Sequence, residues 1–132
     1  VIGGAVSSNA QDVYLMKTTL NGDKIWADST GGKGYDFGTG LIQTSDGGYA
    51  IAGITSASGS SDQNVSLTKF DATGSVSWTH TYGGDQIEQG TGVVQQSDGG
   101  FSLTGMSNSG GSYIFLNKTD ASGTEAWQKN IK

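Results

Sequence analysis

The sequence predicts an all-β fold built of tandem four-stranded antiparallel units. Three observations predict it: a segment that recurs along the chain, turn residues at regular spacing, and period-two alternation between the turns. Of 132 residues, 23 are Gly, none is Pro or Cys, and 33% are hydrophobic. Gly at this density argues against helices, because each Gly inside a helix costs about 1 kcal/mol relative to Ala. Charged residues are only 14%. The polarity therefore comes from Ser, Thr, Asn, Gln and Gly, not from the charge that marks disordered chains.

The recurrence is plain when GGKGYDFGTGLIQTSDGGYAIAG, from Gly31 to Gly53, is laid over GGDQIEQGTGVVQQSDGGFSLTG, from Gly83 to Gly105. Gly31, Gly32, Gly38, Gly40, Gln43, Ser45, Asp46, Gly47, Gly48 and Gly53 all return, and Tyr49 becomes Phe101. The other half of the unit occurs three times, as VYLMKTTLNGDKIW, VSLTKFDATGSVSW and IFLNKTDASGTEAW, with Leu, Lys, Gly and Trp in phase. The last copy sits three residues closer, which shortens the loop near Ser109. Self-similarity at such a period signals a repeat architecture.

Taken in order, VIGGAV fits the second strand of a unit, and the VYLMKTTLNGDKIW segment adds the third strand, a turn and the fourth. The next unit begins with TGLIQTS, closed by Asp46-Gly47-Gly48. Asp bonds its own following backbone and Gly accepts positive φ, so this is a hairpin turn. YAIAGIT is the second strand and SASGSSDQ a loop. VSLTKF is the third strand, DATG a second hairpin turn, and SVSWTHTY the fourth strand, ending at Gly83-Gly84. The final unit repeats this order. The count is about eleven strands, divided as a partial unit 1–30 and full units 31–82 and 83–132.

Alternation places Val65, Leu67 and Lys69 on one face, with matching sets Val13, Leu15, Lys17 and Ile114, Leu116, Lys118. Trp26, Trp78 and Trp127 are expected to cover the sheet or pack between units, the alternative being a stacking platform for a sugar. Lys17, Lys69 and Lys118 are expected to snorkel to solvent or pair with an acid.

Four-stranded units of this length point to β-propeller blades. The runs DVYLMKTTLNGDKIW and SDGGYAIAGITSASGSSDQNVSLTKFDATGSVSWTHTYGG resemble the SBBP-type β-propeller repeats of bacteria and archaea, over nearly the whole chain. The resemblance implies a secreted or cell-surface protein. It brings no catalytic residues. A closed propeller takes roughly 4–8 blades, against about two and three-quarter here. The expectation is therefore a part of a longer chain, or self-association that completes the ring. The absence of an initiator Met at Val1 fits a processed or partial chain.

Net charge is −5 and every basic residue is Lys. Without clustered cations, nucleic acid is not an expected partner. No Arg fork is available for a carboxylate or phosphate clamp. Without Cys there is no thiolate nucleophile or Cys-based metal site. No apolar run approaches the ~20 residues of a membrane-spanning helix. His80 is the single histidine and lies in a strand. No G-x-S-x-G elbow or acid–His–Ser set is evident. The Gly pairs lead from strand to strand, so they are not phosphate loops.

Strand alternation sorts the loops to two ends. The SDGG and DATG turns fall at one, and the loop 56–63 with the linker 83–90 falls at the other. Longer loops on a rigid scaffold collect binding residues. The candidate ligand-binding set there is Tyr35, Asp36, Phe37, Asp62, Asp85, Glu88 and Asn108, with Asp36 and Glu88 at equivalent positions. These acids can cap Gly-rich turns, hydrogen-bond a sugar beside Tyr35 and Phe37, or help hold Ca²⁺, which wants six to eight oxygens. No D-x-D-x-D-G loop supports the calcium reading, and no cofactor is expected. A carboxylate pair for glycoside hydrolysis is open to Asp36, Asp62, Asp85 and Glu88, but nothing selects it. Asn64-Val65-Ser66 and Asn117-Lys118-Thr119 match the glycosylation triplet, with Asn64 the better placed beside a loop.

The sequence thus points to a non-catalytic extracellular or cell-surface module of propeller blades that binds a protein, a polysaccharide or its own copies. The alternative is a carbohydrate-active enzyme domain or a calcium-stabilised lectin-like module.

Overall fold

The computed structural model describes residues 2–7, 11–108 and 110–132, and for residues 2–7 and 11 the backbone alone. Ser109, in the shortened loop, lies outside the described residues. The turn-and-alternation pattern folds into eleven strands, with no helix among the described residues. The first unit holds β1 (Ile2–Ser7), β2 (Gln11–Thr18) and β3 (Lys24–Thr30). The second holds β4 (Tyr35–Gln43), β5 (Tyr49–Ser56), β6 (Asn64–Phe70) and β7 (Val76–Tyr82). The third holds β8 (Glu88–Gln95), β9 (Phe101–Ser107), β10 (Tyr113–Thr119) and β11 (Glu125–Ile131).

Within each unit, consecutive strands pair antiparallel as a meander. Between units the backbone link is a single parallel pairing. Gln11 meets Tyr35 at one boundary and Gln63 meets Ile87 at the equivalent place on the next. No sheet closes on itself, so each meander keeps two edges.

The turns follow from their residues. At S-D-G-G, the Gly48 N–H donates to Asp46 Oδ1 at 3.0 Å, and Gly47 takes φ +82°. The copy at Asp98 and Gly100 repeats this at 2.9 Å. In the other turn, Asp71 Oδ1 accepts from the N–H groups of Thr73 and Ser75, and Asp120 does the same for Ser122 and Thr124. A bulge recurs at one place in every unit, after Lys17, Lys69 and Lys118. It adds a residue to the fourth strand beside the Lys–Trp pair.

Two cores hold the units face to face. Val13 and Leu15 of the first unit pack with Tyr49, Ile51 and Phe70 of the second. Ala50, Ala52, Val65, Leu67 and Tyr82 of the second pack with Val93, Phe101, Leu103 and Phe115 of the third. Each fully buried large side chain contributes about 1.5–3 kcal/mol. The middle unit is covered on both faces. From Tyr49 to Gly53, β5 is continuously buried, whereas β9 of the outer unit alternates. Polar contacts reinforce the second boundary. Thr39 Oγ1 donates to Gly90 O at 2.6 Å, and the Ser45 N–H donates to Gln95 Oε1 at 2.8 Å. Tyr82 Oη, its ionisation pushed up by burial, donates to Gly123 O at 2.7 Å.

The Val–Leu–Lys face is shared by the three copies as alternation predicts, but its environment is not. In β2 and β6 it faces the next unit. In β10 no unit among the described residues packs against this face, so Ile114 is 56% exposed and the opposite residue Phe115 enters the core. The tryptophans split the same way. Trp26 and Trp78 pack against the two cores, while Trp127 is 44% exposed. Two of the three repeat lysines pair with acids: Lys69 with Asp46 at 2.8 Å and Lys118 with Asp98 at 2.9 Å. Among the described residues no helix is long and apolar enough to cross a membrane.

Candidate functional site

The meander order places the longer connections at one end, away from the Asp-Gly turns. There the linker 31–34 leaves β3 and enters β4. Its Gly34 lies so close to Ser56 O that any Cβ would collide with the backbone. This contact pins the linker to the end of β5. The Gly32 N–H donates to Asp36 Oδ2 at 3.0 Å, fixing the carboxylate over the linker.

Between this linker and the ends of β5 and β7 lies an open cleft of ≈ 600 Å³. Its walls carry Thr30, Asp36, Thr55, Asn64, Thr79 and Thr81, with the loop residues Ser56 and Ser58 at the rim. A narrow arm of ≈ 40 Å³ continues inward to Val13, Ser66 and Thr68. Strand alternation accounts for the lining. In β7, Thr79 and Thr81 face this cleft, while Trp78 and Tyr82 pack into the opposite boundary. Thr68 Oγ1 and Thr79 Oγ1 are hydrogen-bonded at 3.1 Å. The cleft is therefore a row of hydroxyls with one carboxylate (Asp36), one ammonium (Lys33) and one amide (Asn64), a donor–acceptor mix that can match a polyhydroxy ligand.

Asp36 is the one member of the sequence-derived set in this cleft. Tyr35 and Phe37 stack on each other, with ring centroids 6.2 Å apart at 14°. They alternate with Asp36 along β4, so they lie on the other side of the strand. Glu88, the counterpart of Asp36, is 1% exposed. It accepts from the Gly84 N–H at 3.0 Å and from Ser107 Oγ at 3.0 Å. It thus serves as a buried cap at the second boundary. Asp62 stands in the loop, where its N–H donates to Ser60 Oγ. Asp85 is exposed in the linker. Asn108 donates its N–H to Ile87 O at 2.9 Å and borders a separate depression of ≈ 220 Å³ with Ile87, Gln89, Met106 and Tyr113. The set is thus divided: Asp36 faces the first boundary, Glu88 is buried at the second, and Asn108 borders a depression lined by the third unit alone.

Sequence reasoning singled out Asn64 only as a glycosylation triplet, and it did not single out the threonines or Asp12. The alternation of Thr79 and Thr81 opposite aromatic neighbours was a readable signal for the threonines. Asp12 becomes visible only in three dimensions: a β-carbon on Gly31 would meet both its carboxylate and that of Asp36, the latter at 3.0 Å. Of the two sequons, Asn117 is 1% exposed and donates to Glu125 at 2.7 Å, which closes it to a glycan. Among the described residues no three His, Cys, Asp or Glu side chains gather to hold a metal ion.

His80 lies outside the cleft. Its ring packs against Trp78 at 5.1 Å, and Nε2 is 3.2 Å from Ser122 O. The perturbed carboxyls sit at the opposite end, in the turns. Asp46 is held well below the usual carboxylate range by the Lys69 ammonium, the Thr44 hydroxyl and the Gly48 N–H. Lys118 similarly lowers Asp98, and the Thr73 and Ser122 hydroxyls lower Asp71 and Asp120. Strong electrostatics therefore serve the turns.

No protein-family model and no curated protein matches the chain.

Proposed function

We propose that the protein is a non-catalytic extracellular or cell-surface binding module built of propeller-type blades, and that its cleft takes a glycan. The observation that carries this reading is the ≈ 600 Å³ cleft at the long-loop end, lined by threonine hydroxyls, Asn64 and Asp36. Sugars are held by such rows of donors and acceptors on rigid strands. The repeated four-stranded meanders, packed face to face, support the blade reading, as does the resemblance of the repeat to SBBP-type propeller sequences. An arc of blades acts as a scaffold: the strands fix the hydroxyls while the loops vary the rim.

Calorimetric titration of a panel of neutral oligosaccharides and soluble polysaccharides tests the proposal. Saturable binding to the wild type, lost in Thr81→Trp, is expected, since Thr81 is exposed at the cleft wall and the larger ring fills the space. Absence of binding across the panel, or binding untouched by Thr81→Trp, overturns the cleft assignment. Turnover of a bound glycan that is abolished by Asp36→Asn overturns the non-catalytic reading, because the carboxylates of Asp12 and Asp36 both approach the space over Gly31.

A further inference from the structure

The two unit boundaries use equivalent repeat positions in opposite ways. At the second boundary Tyr82, Glu88, Phe115 and Asn117 are all buried, and Glu88 Oε1 accepts from Ser107 Oγ at 3.0 Å. Their counterparts at the first boundary are, in that order, Thr30, Asp36, Ser66 and Thr68, with Thr55 in the place of Ser107. Two aromatic rings that fill the second boundary are thus replaced by small hydroxyl side chains at the first. Asp36 is one methylene shorter than Glu88, and no hydrogen bond joins it to Thr55. The cleft and its inner arm are the room these exchanges leave. Described strands of the first and second units form both of its walls, so the opening follows from side-chain choice.

One side chain marks the arm as a polar site. Ser66 alternates with Val65 and Leu67, which enter the second core, so it turns to the first boundary and lines the arm. It is 5% exposed, and no side-chain hydrogen bond joins it to another described residue. Thr68, two residues on, is by contrast satisfied by Thr79 at 3.1 Å. A buried hydroxyl left unpaired costs free energy that a matching partner recovers. Val13 gives the arm an apolar wall from the facing unit. The arm's ≈ 40 Å³ exceeds the ~30 Å³ share of one water molecule and is too small for a sugar ring.

We infer that the arm is a hydroxymethyl subsite, so that the cleft selects hexopyranoses, whose ring carries a CH2OH group, over the matching pentopyranoses, which lack it. The inference rests on the glycan reading of the cleft. The ring stays in the wider cleft among Thr55, Thr79 and Thr81, the methylene packs on Val13, and the terminal hydroxyl pairs with Ser66 Oγ. A site built to hydrogen-bond a ligand hydroxyl rejects the analogue lacking it, because its own polar group is then left unpaired.

The test titrates the intact, isotope-labelled chain with matched pairs of methyl pyranosides and follows amide shifts by NMR. The pairs are glucose with xylose, galactose with L-arabinose, and mannose with lyxose. In at least one pair the hexoside is expected to bind about tenfold more tightly, the worth of one hydrogen bond, with shifts at Ser66 and Val13. Ser66→Ala should erase that preference while the thermal midpoint holds, because the hydroxyl it removes has no side-chain partner in the free protein. Ser66→Val, which fills the arm, should erase it too. Equal binding within every pair, or a preference that survives both variants, overturns the inference and leaves the glycan reading standing. No binding of any glycoside also overturns it, and the oligosaccharide panel then decides the glycan reading separately. If both variants fail to fold, the paired glycosides on the wild type decide alone.

Discussion

Trp78 of β7 covers Gly123 in the turn between β10 and β11, so that a β-carbon on Gly123 would lie 2.8 Å from two atoms of the indole. Trp26 covers Gly74 in the same way, at 2.5 Å for its nearest atom. Each Trp thus seats on the turn glycine of the following unit. The repeat needs Gly there twice over, for the positive φ and for the indole.

Gly123→Ala is therefore expected to cost more than the same change at Gly22, which has φ +90° but nothing within 4 Å. Backbone strain alone costs about 1–2 kcal/mol, and displacing the indole adds about 1–3 kcal/mol at Gly123. Urea denaturation of the two variants measures the difference. Equal losses would mean that the indole contact contributes nothing.

Neighbouring residues of β10 should respond very differently to truncation. Phe115 is fully buried, so Phe115→Ala is expected to cost about 3–5 kcal/mol. Ile114→Ala should stay within about 0.5 kcal/mol, as an exposed substitution. A large loss at Ile114 would show that its face is covered in solution.

The two turn ion pairs should also differ. The Lys69 side chain is 9% exposed and its partner Asp46 61%. Asp46→Asn leaves a nearly buried ammonium with its bond to Phe70 O, at a cost of about 1–3 kcal/mol. Lys118 is more exposed, at 24%, so Asp98→Asn should cost less than Asp46→Asn. Thermal melts of the two variants check the order.

Acid should destabilise the fold through the turns. The carboxyls of Asp46, Asp71, Asp98 and Asp120 all lie below their ordinary value. A carboxyl lowered in the folded state stabilises it above the unfolded value of about 3.9, and this stabilisation is lost as pH falls through the folded value. The urea midpoint is expected to hold between neutral pH and about 5 and to fall below about 4. Asp46→Asn should shrink that fall. An unchanged midpoint at pH 3 would show that the turn carboxylates do not support the fold.

The strands were legible because their signals are local. Asp-Gly pairs name the hairpins, and period two names the strands between them. The candidate site was only partly legible. Asp36 was found because it begins a strand beside a Gly-rich linker. The threonines that line the cleft were passed over because hydroxyls are common throughout the chain. Asp36 and Glu88 occupy the same repeat position with the same charge, yet one opens on a cleft and the other is a buried cap. The difference lies in what each meets: Glu88 is held by Ser107 Oγ and the Gly84 N–H, while Asp36 has the Gly32 N–H beside open space.

The sequence by itself determined the repeat unit, its turns and the strand order within it, because all of these depend on residues close together in the chain. The tertiary structure alone decided which face of each repeat is buried. Val65 and Ile114 occupy equivalent positions, but Val65 is fully buried and Ile114 is exposed. Burial is set by the presence of a neighbouring unit, and no residue within a repeat encodes what lies against it.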